Sequence, residues 1–488
     1  MLCIAVAPES RKLGKVDLLN AAPQCDLIEF RLDRLGKEPD IPDLMSGISK
    51  PMLLSCRRKQ DGGAWFESEE DRLTMLRQAI VAGPAYVELE LDIADKVPRF
   101  GKTKRVISYT SLNKPLANLE QAYEKAVKAK ADVVKFVGPT PTLEAAWPLL
   151  AAVSKKRDVP VVGMGLDQSG LMFSLLGRKH GSPWIYAALE KGLEAYAGQQ
   201  TVTDLNETYH WQDIGPQTRF IAVIGFGATE TRAVKTLNAA FKALNLNIRC
   251  LPIEIGNTEK LGQMLDALHI NVILPNSKTG GRVLALAPHL EEATRISQFA
   301  DLLMKQQDGW HAYSTLWRSV LRAIEISLGA KTPEDRPLDR RNVMIIGAEG
   351  LSQSVAYGVQ RRKGMMSITS SDDAAAQLMA QMFNARFVPV ANMYDTLADV
   401  VIIAEATSNL IDRDKTRVNP SYLRPNMTVT DLSDIPNDTP LLEEARIRGC
   451  KVVEPMAVFR EHLVSLFKSI SGKDLPAEIA AGFVRTAE

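Results

Sequence analysis

The feature that most constrains this chain is a set of eight short apolar runs between residues 2 and 189. They lie at Leu2–Ala7, Asp26–Asp33, Pro51–Arg57, Tyr86–Asp92, Arg105–Ser111, Asp132–Gly138, Pro160–Leu166 and Pro183–Leu189. Such short runs, bounded by Gly, Pro and polar residues, read as buried strands. Helix-patterned stretches separate most of them, with clear 3.6-residue periodicity at Glu69–Val81 and Leu119–Ala129. Eight strands alternating with helices predict an α/β fold, a (β/α)8 TIM barrel over residues 1–213. In that architecture chemistry gathers at the C-terminal strand ends, so polar residues inside these runs matter most.

A second series follows the polar stretch Asp204–Thr218. Strands are expected at Phe220–Gly225, Ile248–Ile253 and Ile270–Leu274, with a helix near Thr315–Leu328. A linker rich in Pro, Asp and Arg (Lys331–Arg341) leads to Asn342-Val343-Met344-Ile345-Ile346-Gly347, a strand entering a glycine turn. Strands at Met366–Thr369, Asp399–Ile403, Thr428–Leu432 and Lys451–Val453 complete a doubly wound, Rossmann-like unit. The expected divisions are 1–213, 214–330 and 331–488, the last two forming a two-lobed α/β unit.

A net charge of +1 in 488 residues gives no basis for expecting a nucleic-acid or membrane partner. No apolar stretch is long enough to span a bilayer. Cys3, Cys25, Cys56, Cys250 and Cys450 are scattered and form no CxxC pair, which suggests reduced thiols, no disulfide framework and no zinc. With a strand beginning at Leu2, the expected location is cytoplasmic.

Four barrel runs carry charge. Alternation sends Glu29, Arg31 and Asp33 to one side of their strand. Ser55-Cys56-Arg57 leads into Arg58-Lys59-Gln60-Asp61-Gly62-Gly63, and a further strand holds Glu88, Glu90 and Asp92. Lys135 stands inside Val133-Val134-Lys135-Phe136-Val137, a run that Gly138-Pro139 should stop. Burial of a lone ammonium depresses its pKa, and a neutral amine can attack a carbonyl to form a Schiff base. The structural alternative is a lysine that reaches a strand end or pairs with a carboxylate. Together the four strands favour a polar pocket for an anionic substrate.

The succession EFRLD, SCRRKQDGG, ELELD, VISY, ADVVKF and AGQ resembles the type I 3-dehydroquinate dehydratases over nearly all of residues 1–205. The resemblance implies that Lys135 forms an imine with a substrate ketone. It assigns Glu29, Arg31 and Arg57 to the hydroxyls and carboxylate of 3-dehydroquinate or a related small carboxylated ring. Asp61 stands where that family has a glutamate orienting the catalytic histidine, and Gln199 matches the glutamine of a closing loop. Three positions depart from the family: the histidine is Thr110, a carboxylate-binding arginine is Ser174, and a loop serine is Ala195.

Residues 219–470 resemble shikimate dehydrogenase, through Val223-Ile224-Gly225, Asn238-Ala239-Ala240-Phe241, Asn271-Val272-Ile273-Leu274-Pro275 and Thr439-Pro440-Leu441-Leu442. The resemblance implies substrate contacts from Thr229, Thr231, Asn271 and Lys278, and NADP at Gly347 and Gly350. Here the family's lysine is Ser277, its aspartate is Leu316 and a late glutamine is His462. Glu349 places a negative charge in the phosphate turn, and Asp372 and Asp373 follow the next strand, which disfavours a 2′-phosphate. The implied function is a bifunctional shikimate-pathway enzyme of aromatic amino acid biosynthesis. It would dehydrate 3-dehydroquinate to 3-dehydroshikimate, with an impaired NADPH-dependent reduction to shikimate. The alternative is the same pair of folds kept as a binding, scaffolding or regulatory protein.

Overall fold

The computed structural model describes residues 1–35, 39–404 and 418–482. They form two compact units: 1–220 with 247–264, and 221–246 with 265–482.

The first unit contains strands β1 (Leu2–Val6), β2 (Leu27–Arg31), β3 (Met52–Ser55), β4 (Tyr86–Glu90), β5 (Lys104–Thr110), β6 (Val133–Pro139), β7 (Val161–Leu166) and β8 (Ile185–Ala187). Each lies on its expected run. The parallel order is β7-β6-β5-β4-β3-β2-β1-β8, a (β/α)8 barrel sheet. Helix Glu69–Val81 starts where the Ser68 hydroxyl accepts the Asp71 N–H, with Glu69, Glu70 and Asp71 complementing the helix dipole. One expectation fails at β6. Gly138 and Pro139 do not stop it but continue it, opposite Gly165 and Leu166 of β7. Proline is tolerated there because it ends the strand.

Period-two alternation turns Val133, Lys135 and Val137 into the barrel. The barrel floor is apolar: Leu27, Leu53, Val106, Val133, Val162 and Trp184 pack together there. Each such side chain contributes roughly 1.5–3 kcal/mol by leaving water. Two residues further along several of these strands the layer becomes polar, with Glu29, Ser55, Ser108 and Lys135, all buried.

Strand β10 (Ile248–Ile253) belongs to the first unit, although β9 (Arg219–Ile224) leads into the second. Within the second unit β9 is followed by β11 (Val272–Leu274), β12 (His289–Leu290), β13 (Leu302–Gln306) and β14 (Gly309–Tyr313), arranged β9-β11-β13-β14-β12. The hairpin β13–β14 and edge strand β12 have no counterpart among the expected elements. A parallel sheet β17-β16-β15-β18-β19-β20 completes this unit. Its strands are β15 (Asn342–Ile346), β16 (Met365–Thr369), β17 (Arg386–Phe387), β18 (Val400–Ile403), β19 (Thr428–Asp431) and β20 (Lys451–Val452). The strand order reverses between β15 and β18, as in a doubly wound fold.

Candidate functional site

Lys135 is fully buried, and two carboxylates close on it. Its Nζ lies 3.1 Å from Glu29 Oε2 and 2.8 Å from Glu88 Oε2, and 4.5 Å above the Tyr186 ring. The expected lone amine in an apolar setting is therefore corrected: the lysine is ion-paired, because β2 and β4 both turn a glutamate into its layer. Glu88 also accepts from Arg57, at 2.6 Å from Nη2 and 3.2 Å from Nε. Burial pushes the Glu88 carboxyl up, but Arg57 and then Lys135 outweigh it and hold the group at about 2. Ser55 Oγ donates to the other oxygen of Glu29 at 3.1 Å.

Above this layer Arg31 holds Asp33 through two bonds of 2.9 Å and donates to the Gly62 carbonyl at 3.1 Å. Asp33 also accepts the Arg57 and Ala64 backbone N–H groups. Burial raises its carboxyl less than Arg31 lowers it, so it stays below the usual carboxylate range. The loop after β3 owes its shape to two glycines. Gly62 has φ of 80°, and a Cβ on Gly63 would lie 1.9 Å from the Arg57 carbonyl oxygen. This close approach fixes Arg57 over the cavity.

A cavity of about 100 Å³ opens onto Glu29, Arg31, Arg57, Asp61 and Lys135, with Val137, Met164, Leu166, Ala195 and Tyr196 as its apolar walls. Five of the expected barrel residues thus meet in one cavity. Gln199 stands behind its rim: its Oε1 accepts from Ala195 N at 2.8 Å, while its buried Nε2 has no partner. Asp61 has no histidine to orient and pairs instead with Arg58, at 2.6 Å. Among the described residues no histidine lines the cavity. Thr110 Oγ1 is buried without a partner, and Ser174 Oγ donates to the Tyr186 carbonyl at 3.2 Å. The cavity's cations are Arg31, Arg57 and Lys135. Glu88 was not among the expected site residues, although the alternation Glu88-Leu89-Glu90 on β4 carries the same inward signal as Glu29 and Arg31.

A second cavity, about 150 Å³, lies within the second unit and is mostly apolar. Its polar lining includes Thr229, Asn276, Ser277, Asp301, Ser433 and His462. Asp301 is fully enclosed at the start of helix Leu316–Ser327. It accepts from Thr315 N, Thr315 Oγ1 and Leu316 N at 2.6–2.9 Å, and His462 Nε2 lies 3.8 Å away. Burial alone would raise this carboxyl, but the neighbouring His462 and these donors bring it below its ordinary value. Thr315 Oγ1 lies 3.1 Å from His462 Nε2, which completes an Asp–Thr–His cluster.

The expected contacts in this unit are only partly gathered. Thr229 lines the cavity, with its hydroxyl donated to the Ile435 carbonyl. Thr231, Asn271 and Lys278 are exposed and absent from the lining. The turn after β11 explains Lys278: Asn276 Oδ1 accepts the Lys278 and Thr279 N–H groups, and Asn276 and Ser277 take the cavity side. Asp301 was missed because nothing marked it in sequence except its position before an apolar strand.

Gly347, with φ of 126°, and Gly350, with φ of 37°, flank the turn between β15 and helix Leu351–Arg361. A dinucleotide needs that turn open and uncharged. Glu349 is exposed within it, and a Cβ on Gly350 would lie 3.0 Å from the Phe299 ring. After β16, Asp372 Oδ1 accepts the Ala374 and Ala375 N–H groups and so occupies the next helix terminus. These residues do not fit a phosphorylated dinucleotide well.

Comparison with known proteins agrees with this geometry. The type I 3-dehydroquinase family model matches residues 2–216. The chain is 25% identical over 478 residues to the bifunctional 3-dehydroquinate dehydratase/shikimate dehydrogenase of Arabidopsis thaliana, a chloroplastic protein, covering 93% of this chain and 79% of that one. The 3-dehydroquinate dehydratase of Methanococcus vannielii is 29% identical over 217 residues, covering 42% of this chain and 97% of its own length. The shikimate dehydrogenase (NADP(+)) of Syntrophobacter fumaroxidans is 25% identical over 247 residues, covering 49% of this chain and 82% of that protein. Among the described residues no helix is long and apolar enough to cross a membrane. Along almost all of its length, the chain is similar to the bifunctional 3-dehydroquinate dehydratase/shikimate dehydrogenase of Arabidopsis thaliana.

Proposed function

We propose that the first unit dehydrates 3-dehydroquinate to 3-dehydroshikimate through an imine on Lys135, and that reduction by the second unit is impaired. The observation that carries this reading is Lys135 at the base of a cavity with Glu29, Glu88, Arg57 and Arg31 around it. To attack, the ammonium must first lose a proton, and Glu29 and Glu88 are both within 3.1 Å to accept it. The amine adds to the ketone, and the carbinolamine loses water to give the imine. The imine acidifies the neighbouring C–H. A carboxylate of the cavity takes that proton and delivers it to the β-hydroxyl, which leaves as water. A water molecule then hydrolyses the imine and releases both enone and lysine, so the net change is loss of one water. Arg31 and Arg57 suit a substrate carboxylate by fork geometry.

The proton abstraction is the weak step, because Thr110 has no group that titrates near neutral pH. The second cavity offers Asp301 and His462 but, among the described residues, no lysine, and we place no NADP-dependent step in it. Its neighbouring turn, with Glu349, is a poor seat for the NADP that the relative from Syntrophobacter is named for.

The deciding experiment mixes the protein with 3-dehydroquinate, reduces with borohydride and measures intact mass and peptide mass. The expected result is one adduct on Lys135, absent from Lys135→Ala. Wild-type protein without an adduct overturns the reading.

A further inference from the structure

The hairpin β13–β14 brings Asp308 and His311, three residues apart, up to His289 on the edge strand β12. Strands β12 and β14 are parallel, and His289 is directly opposite His311 in their register. Side chains opposite one another in register share a face. Accordingly the two imidazoles stack, with centroids 4.5 Å apart and planes inclined by 22°. The hairpin turn places Asp308 between them. Its Oδ1 is 2.8 Å from His311 Nε2, and its Oδ2 is 3.4 Å from His289 Nε2. One donor atom from each residue lies within 4.8 Å of the others.

We propose that His289, Asp308 and His311 form a binding site for a divalent transition-metal ion of the zinc type. Two imidazoles and one carboxylate are borderline donors that suit zinc, whereas calcium and magnesium demand oxygen. Zinc–nitrogen bonds of about 2.0–2.1 Å put tetrahedral donors roughly 3.3 Å from one another. With one donor atom from each residue already within 4.8 Å of the others, small side-chain rotations bring the set to that spacing. All three side chains reach solvent, so the ion has an entry path, and three protein ligands leave a fourth position for water. The ion would reinforce the pairing of a two-residue edge strand with the hairpin at its turn. The other end of that hairpin leads into Asp301, which lines the second cavity, and its partner Thr315, so the metal clamps the frame on which those residues stand. The inference is independent of the dehydratase reading.

Full-length protein stripped with a chelator, then titrated with zinc chloride by calorimetry, tests this. The expected result is saturation at one equivalent per chain, with a rise in melting temperature that magnesium and calcium do not reproduce. His289→Gln and His311→Gln, each checked for native circular dichroism, should weaken zinc about 10–100-fold or more. Histidine ring signals of wild-type protein should show the same two residues shifting with zinc, which covers the case of a variant that fails to fold. Absence of saturable binding, or equal affinity in the folded double variant, overturns the site and places any zinc on the cysteines or other histidines.

Discussion

Glu88 Oε2 lies 2.8 Å from Lys135 Nζ, and the two residues reach each other across the intervening strand β5. Because Glu88 gives its other oxygen to Arg57, it is the hinge of the buried charge network. Glu88→Gln would leave two cations facing one remaining carboxylate, Glu29. Breaking a buried pair from one side costs about 3–5 kcal/mol, and denaturant unfolding should register a loss of that size. A loss below about 1 kcal/mol would mean that water already screens the site.

Thr110→His restores an imidazole at a position whose present hydroxyl is buried and unpartnered. If the remaining cavity is competent, the dehydration rate should rise about 10²–10⁴-fold, followed by the ultraviolet absorbance of the enone product. An unchanged rate would shift the limiting loss to Ser174 and Ala195.

Acid should destabilise the protein in a defined window. Asp33, Glu88 and Asp301 all have folded pKa values below their ordinary ones. As pH falls below about 4.5 the unfolded carboxylates bind protons first, so protons favour unfolding. The stabilisation is complete above that pH and is lost as the pH descends through the folded values, to about 2 for Glu88. Glu90 acts with opposite sign: burial raises its carboxyl more than Arg72 lowers it. Asp17 is likewise raised by burial, but the lowered carboxyls, which also include Glu69 and Asp92, outnumber the raised ones, and thermal melts should fall steadily below about pH 4.5. A constant melting temperature down to about pH 3 would contradict the ion-pair assignments.

Glu349 can be tested separately. NADPH fluorescence should show no saturation with wild-type protein in the micromolar range. Glu349→Gly, which removes a charge and a side chain from the turn, should raise affinity about three- to tenfold. Tight binding by wild-type protein would show that the phosphates avoid Glu349.

The barrel was legible because its information is local and periodic. Each apolar run is a strand, and alternation alone sends Glu29, Arg31 and Lys135 inward. What the sequence could not convey was pairing. Burial of Lys135 suggested a bare amine, whereas closure of the sheet supplies Glu29 and Glu88 from other strands. The second unit was less legible for the same reason. Asp301 meets Thr315 and His462 only through tertiary approach, and a one-residue shift in a turn decides between Ser277 and Lys278. The hairpin β13–β14 did leave a signal, the Asp308-Gly309 turn, between segments too short and mixed to stand out.

Among the described residues the barrel buries Glu29, Asp33, Asp61, Glu88 and Glu90 against Arg31, Arg57, Arg72, Arg105 and Lys135, five charges of each sign. The interior is therefore nearly neutral, and an approaching anion meets little long-range attraction. Its capture requires an exchange of partners, as Arg57 or Lys135 releases Glu88 to take the newcomer. Association should then be slow for an oppositely charged pair and nearly indifferent to ionic strength, with discrimination exercised at the moment of exchange rather than during diffusion.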